Sequence, residues 1–188
     1  MTEAEELNHY NQVYATSKEY KKNPNQSIYF SMWKDILSAI DDHEEIVELG
    51  CGSGQLANIL LSNNKKYLFG IDYSHEAIKL AKYINSENHD LFFVRNIYDI
   101  KPGEIKADVV ICTEVIEHLD NDSHVFEILS PGTRVLFSVP DFWYKTHKRI
   151  FKNMDEIKDR YKKIQVFGHK EFITKNRNKI FLVNSQIK

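Results

Sequence analysis

Two sets of residues in this 188-residue chain have the types and spacing to carry chemistry. The first is Gly50-Cys51-Gly52-Ser53-Gly54, set between an apolar run, Ile46-Val47-Glu48-Leu49, and a helix-like stretch holding Leu56, Ala57, Ile59, Leu60 and Leu61. Glycines let the chain reverse tightly and let a ligand approach the backbone without Cβ collisions. The free N–H groups of the following helix point to the same place. Asp72 ends the next apolar run, about twenty residues on, where a carboxylate accepts the hydroxyls of a ribose. A nucleoside-containing ligand is therefore expected, a bare glycine turn being the plainer reading. The dinucleotide fingerprint is G-x-G-x-x-G. Here Gln55 stands where the third glycine belongs, which argues against a nicotinamide oxidoreductase, and no Lys-Ser/Thr pair follows to make a Walker loop.

The second set holds acid–base groups: Glu114-x-x-Glu117-His118 and His147-x-Arg149-x-Phe151, each following an apolar run. Glu114 and Glu117, at i and i+3, are expected to share a face. Three readings compete. His118 or His147 acts as a general base, imidazole titrating near neutrality. Alternatively Glu114, Glu117, His118 and His147 hold a divalent metal that lowers the acceptor's pKa, although no metal is the favoured expectation. In the third reading Glu117 and His118 merely orient a loop. Arg149, planar and permanently charged, either clamps a carboxylate or phosphate or lies at the surface ahead of a helix.

The elements that must position these groups alternate. Leu7, Tyr10, Val13 and Tyr14 recur at helical spacing, as do Phe30, Trp33, Ile36, Leu37 and Ile40 after Asn23-Pro24-Asn25. Strands are expected at 46–49, 67–71, 91–94, 108–112 and 134–139, with helices after the first two, near 123–129 and at 155–163. Ser74 reads as an N-cap. The end, 164–173 and 179–187 around Lys175-Asn176-Arg177-Asn178, reads as a β-hairpin that leaves the last strand antiparallel. Alternating β and α elements imply a doubly wound, Rossmann-like α/β fold with a mostly parallel seven-stranded sheet. The expected organisation is one domain, with a helical N-terminal cover over 1–43 and an α/β core over 44–188. In the cover, Trp33 and Phe30 read as core, and Tyr14 and Tyr29 as pocket residues.

Composition bounds the class. Hydrophobic residues make up 42% of the chain and the net charge is −2, so charge-driven disorder is excluded. No apolar run reaches the ~20 residues of a membrane helix, and the polar opening Met1-Thr2-Glu3-Ala4-Glu5-Glu6 is unlike a signal peptide. Two cysteines make neither a disulfide scaffold nor a four-thiolate zinc site. A cytoplasmic protein is the expectation. Charge is uneven: residues 142–188 hold 13 Lys and Arg against 4 Asp and Glu, whereas 1–141 hold 12 against 23. The basic part is either a solvated surface or a face for an anionic substrate. The segment is not read as a nucleic-acid-binding stretch, so nucleic acid is not expected.

Four segments, in order, resemble class I S-adenosylmethionine-dependent methyltransferases. Val47-Glu48-Leu49-Gly50-Cys51-Gly52-Ser53-Gly54 is similar to that family's first motif, and Gly70-Ile71-Asp72-Tyr73-Ser74 to the acidic segment after it. Ala107–Leu119 resembles the fourth-strand signature, and Pro131-Gly132 with Ser138-Val139-Pro140-Asp141 the fifth-strand region. The resemblance implies S-adenosyl-L-methionine as cofactor. Glu48, Gly50, Cys51, Gly52, Gly54 and Gln55 would form its cradle, with Asp72 on the ribose, Tyr73 and Ile97 at the adenine, and Tyr14 in the pocket. Thr113 and Glu114 would lie beside the methionine amino group. Asn96 stands where many members carry an Asp for the adenine amino group. The Glu-x-x-Glu-His tract resembles the ligand pattern of metal-dependent methyltransferases acting on small-RNA 3′ ends and on ubiquinone precursors, without the second consecutive His of the RNA family. The implied reaction is O-methylation of a small molecule or saccharide. A metal-assisted version and a cofactor-binding subunit without transferase activity are the alternatives.

Overall fold

Buried hydrophobic runs make the sheet, and local caps decide where its helices begin. The computed structural model describes residues 2–188; Met1, the first residue of the polar opening, lies outside them. The sheet has seven strands in the order β3-β2-β1-β4-β5-β7-β6. They are β1 (Glu45–Leu49), β2 (Lys66–Asp72), β3 (Phe92–Val94), β4 (Val109–Cys112), β5 (Arg134–Pro140), β6 (Ile164–Ile173) and β7 (Lys179–Ile187). The chain divides into two compact units, Met1–Asp99 and Ile100–Lys188.

In the first unit β1 pairs in parallel with β2, and β2 with β3, Asp72 lying opposite Val94. Four of the five β1 residues are buried, Glu48 among them, so the strand is buried continuously rather than at alternate positions. Helices α1 (Glu3–Thr16), α2 (Phe30–Ser38), α3 (Gln55–Ser62) and α4 (His75–Ile84) complete the unit. Helix α1 starts with a capping box: Thr2 Oγ1 accepts from the Glu5 N–H at 3.3 Å, and Glu5 Oε2 accepts from the Thr2 N–H at 2.7 Å. The expected Ser74 cap is present, its hydroxyl accepting from the Ala77 N–H at 3.2 Å. Trp33 is core; Phe30 is half-buried, with the Lys34 ammonium 5.4 Å from its ring centroid.

In the second unit β4 and β5 are parallel, and β7 runs antiparallel to both β5 and β6. The terminal hairpin has the expected bounds, and Arg177 adopts a positive φ of 63° in its turn. Helices α5 (His124–Glu127) and α6 (Met154–Arg160) are short. Helix α6 ends at Arg160 rather than at residue 163. Tyr161 leaves helical geometry, and β6 opens at Ile164 as expected. Leu91 likewise closes a 3₁₀ turn instead of opening β3.

Candidate active site

In the first unit the chain leaves β1 through three residues at positive φ, Gly50 (74°), Gly52 (53°) and Gly54 (71°). Two of them have further reasons to be glycine. A Cβ on Gly52 would stand 2.8 Å from the Tyr14 hydroxyl, so the turn is covered by a phenol on that side. A Cβ on Gly54 would meet Asn85 Nδ2 at 2.7 Å and Ala81 Cβ at 2.9 Å, so this glycine lets the start of α3 pack on α4. Asp72, at the end of β2, is 8% exposed. Its Oδ2 accepts from the Gly52 N–H at 3.0 Å and its Oδ1 from the Ser74 N–H at 2.8 Å. Burial nevertheless pushes its pKa up to about 6.

Behind the turn, the buried Glu48 accepts from the Tyr67 hydroxyl at 2.7 Å. Burial raises its pKa to about 8, and the charge of Asp72 adds to the rise. Cys51 is buried with its thiol pushed up, a small packing residue. The Tyr14 phenol is held protonated by burial and by Asp72, and its ring packs on Tyr20 at 4.6 Å. Tyr73 meets Tyr10 edge-on at 5.8 Å.

Two expected cofactor contacts have side chains engaged elsewhere. Gln55 donates to the carbonyls of Lys22 at 2.9 Å and Glu19 at 3.4 Å, and accepts from the Ser53 hydroxyl, which ties the 19–22 segment to the head of α3. Asn96 donates to Glu3 Oε1 at 2.6 Å and accepts from the Tyr98 N–H at 3.0 Å. Ile97 is buried and opens the next 3₁₀ turn. This region fits a nucleoside carrying an α-amino acid chain: it offers a desolvated carboxylate for hydroxyls and a turn open to backbone approach.

In the second unit, Thr113 and Glu114 follow β4. Glu114 has a φ of 56°, its N–H donates to the Ser138 hydroxyl, and that hydroxyl donates to Glu114 Oε1, both at 2.8 Å. The expected shared helical face with Glu117 is absent, because the only helical geometry here is the 3₁₀ turn Ile116–His118 that begins after it. Glu117, His118 and His147 converge instead, one ligand atom of each lying within 4.8 Å of the others. His118 Nδ1 lies 3.2 Å from the Thr146 carbonyl, and His147 Nδ1 lies 2.9 Å from that of Phe142. A carbonyl only accepts, so both Nδ1 atoms carry the proton and both Nε2 atoms keep a lone pair. The rings meet edge to face at 4.9 Å.

Glu117 is fully buried, and among the described residues neither carboxylate oxygen has a hydrogen-bond partner. His118 Nε2 stands 3.9 Å from its Oε1. Burial, then the neighbouring Glu114, raises the Glu117 pKa. Burial and the facing His147 depress His118 to about 4, and burial lowers His147. The donor set, two imidazoles and a carboxylate with orphaned oxygens, fits a divalent cation.

Arg149 is not the free anion clamp that its charge suggested. Its Nη1 donates to the carbonyls of Ile116 and Leu119, its Nη2 to that of Asp120 at 3.1 Å, and its Nε stands 3.1 Å from Asp122. Asp122 is buried and also takes both Arg160 donors, at 2.6 and 2.8 Å, and the Tyr161 hydroxyl at 2.6 Å. The guanidinium thus braces the turn that carries Glu117 and His118. Tyr67, Asn85, Ser138, Asp122 and the carbonyls of Phe142 and Thr146 were all missed in the sequence. Backbone acceptors carry no residue-type signal, and the side chains pair across 19 to 39 positions of sequence separation.

Comparison with known proteins agrees with this layout. A family model described as a methyltransferase domain matches residues 25–175. The ribosomal protein L11 methyltransferase of Shewanella sp. (strain ANA-3) is 36% identical over 81 residues, 42% of this chain and 27% of the relative, so the match spans about a quarter of that protein. Among solved structures, the complex of the Haloferax volcanii Trm112 methyltransferase activator with a methyltransferase gives a TM-score of 0.74 at 15% identity, covering 95% of this chain and 97% of that one. Magnesium protoporphyrin IX methyltransferase of Synechocystis with bound S-adenosylmethionine gives 0.67 at 15% identity, covering 96% of each chain. With its glycine turn, its acidic β2 terminus and its antiparallel last strand, the chain belongs to the class I S-adenosylmethionine-dependent methyltransferases.

Proposed function

We propose that this methyltransferase acts as a single domain and methylates a hydroxyl oxygen of a small molecule or saccharide, in the cytoplasm. The observation that supports oxygen as acceptor is the pair of histidines whose Nδ1 protons are held by the carbonyls of Thr146 and Phe142. A hydroxyl must lose its proton as the methyl arrives, and a fixed imidazole with an available Nε2 lone pair is built to take it. Among the described residues no helix is long and apolar enough to cross a membrane.

Bound S-adenosylmethionine supplies an electrophilic methyl on a sulfonium, a displacement that needs positioning more than covalent help. Asp72 would accept the ribose hydroxyls, the turn at 50–54 would admit the methionine part against the backbone, and the Tyr14 phenol would exclude water from that side. His147 is assigned the proton. Burial and the facing His147 depress His118 to about 4, too weak a base for neutral pH. The test is turnover of labelled S-adenosylmethionine with a panel of hydroxylated acceptors. His147→Ala should lose roughly 10²-fold or more in kcat while binding S-adenosylhomocysteine unchanged, and equal turnover would remove the base.

One observation favours a metal-assisted version. Glu117 is a buried carboxyl whose oxygens have no hydrogen-bond partner among the described residues, beside two Nε2 lone pairs, which is what a divalent cation would satisfy. Glu117, His118 and His147 would hold it, and it would acidify the acceptor hydroxyl. Thermal stabilisation by Mn²⁺ or Zn²⁺ that is lost in Glu117→Gln supports this version; no response to either ion counts against it.

A further inference from the structure

The loop joining β5 to α6 has two sides with different duties. On its inner side the carbonyls of Phe142 and Thr146 fix both histidines, and a turn closes from the His147 N–H to the Tyr144 carbonyl at 3.0 Å. On its outer side it presents Trp143 and Tyr144, which are 64% and 61% exposed, and then Lys145. Single exposed apolar residues are ordinary, but two consecutive large aromatics given to water on a loop anchored at a reactive cluster are not. The Tyr144 ring lies 5.8 Å from the His147 ring, so whatever covers Tyr144 sits beside the base. The stretch 142–152 also carries four cations and no acid. Three of these are engaged: Lys148 with Asp120 at 3.3 Å, Arg149 on the carbonyls around His118, and Lys152 on the Asp141 carbonyl at 2.7 Å. Lys145 stands at the tip between the aromatics and the histidine.

We propose that this loop is the acceptor-recognition element, with Trp143 and Tyr144 packing on the ring of an anionic sugar and Lys145 meeting its negative charge. The proposal rests on the O-methylation reading above and narrows it to a substrate class. A sugar ring has a face of weakly positive C–H bonds that suits the negative face of an indole or phenol, and its hydroxyls match the phenol O–H. Its carboxylate or phosphate matches an ammonium on a stretch that itself carries no acid. Ring contact at Tyr144 would bring a neighbouring hydroxyl toward His147. Because the same loop sets the tautomer of both histidines, a bound ring would also steady the base.

The chain has two tryptophans, of which Trp33 is 7% exposed, so acrylamide-quenchable emission reports Trp143. Protein saturated with S-adenosylhomocysteine is titrated with glucuronate, a nucleoside-diphosphate glucuronate, neutral methyl glucoside and catechol. One or both anionic sugars should protect Trp143 from quenching, the two arms separating a free sugar acid from a nucleotide sugar. Methyl glucoside should bind about tenfold more weakly, a gap that Lys145→Ala closes, and Tyr144→Ala should weaken sugar binding about tenfold. Protection by catechol alone, or by none of the four, overturns the proposal, as does a Trp143→Ala enzyme that methylates a sugar with unchanged KM. Protection of Trp143 by a sugar that is never methylated would instead sink the O-methylation reading and leave this loop a sugar site.

Discussion

Asp72 and Glu117 are both buried carboxyls at the ends of parallel strands or just beyond, yet their surroundings are opposite. Asp72 has each oxygen on a backbone N–H, while Glu117 has neither oxygen partnered among the described residues. A buried carboxylate that is already satisfied is a fixed part of the scaffold, its geometry set before any ligand arrives. One that is not satisfied holds a proton or awaits a partner, because leaving its charge bare is costly. The first region is therefore preorganised for binding, and the second is a site whose protonation responds to what enters it.

The substitutions that separate the two begin with Asp72→Ala. It leaves the Gly52 and Ser74 N–H groups without acceptors and removes the acceptor for the ribose, so S-adenosylhomocysteine affinity should fall tenfold or more. Calorimetric titration checks this, and unchanged affinity would end the ribose role. Next in size, Arg149→Ala takes the guanidinium donors from the carbonyls of Leu119 and Asp120 and leaves that of Ile116 with only the Leu119 N–H, while Arg160 still pairs with Asp122. A loss of about 2 kcal/mol of stability is expected, with the kcat pH profile displaced because the Glu117–His118 turn is no longer braced. A stability loss with an unmoved profile would reduce Arg149 to a structural pin.

The remaining effects are smaller and opposite in sign. Glu117→Gln should raise the melting temperature at pH 8, because a neutral amide replaces a carboxyl whose ionisation is opposed by burial and by Glu114. Asp72→Asn should lower it, since an amide cannot accept both N–H bonds. If both substitutions shift melting the same way, the contrast drawn between the two carboxyls is wrong. The pH dependences follow. Glu48 and Asp72 have folded pKa values of about 8 and about 6, above their ordinary 4.5 and 3.8. Their contribution to stability is full below pH 4 and is lost as pH rises through 6 and 8. Glu48→Gln should flatten the higher part of that decline in a melting series. Cofactor affinity should move the other way, weakening as pH falls below about 6 and Asp72 takes a proton.

What the sequence revealed follows the same division. The glycine turn, Asp72, the Ser74 cap and the hairpin were legible because each depends on a residue type at a local spacing. The roles of Arg149, Gln55 and Asn96 were not, because side-chain reach decides them: a guanidinium with five N–H donors finds carbonyls 29 to 33 residues away. Glu114 and Glu117 were placed on one face by assuming a helix from 114. The positive φ at Glu114 and its bond to Ser138, on a different strand, override that spacing. The pairing of His118 with His147 was foreseen as an option, but the carbonyls that set their tautomers belong to backbone and leave no mark in the sequence.

The most direct test of the account is calorimetric titration of the protein at pH 7.5 with S-adenosylhomocysteine and, separately, with NAD⁺, repeated on Asp72→Asn. The account predicts stoichiometric binding of S-adenosylhomocysteine, with thermal stabilisation of about 2.7 kcal/mol at a hundredfold its Kd. It also predicts loss of that affinity in the variant and no response to NAD⁺. Binding of NAD⁺ instead, or S-adenosylhomocysteine affinity indifferent to Asp72, would contradict it.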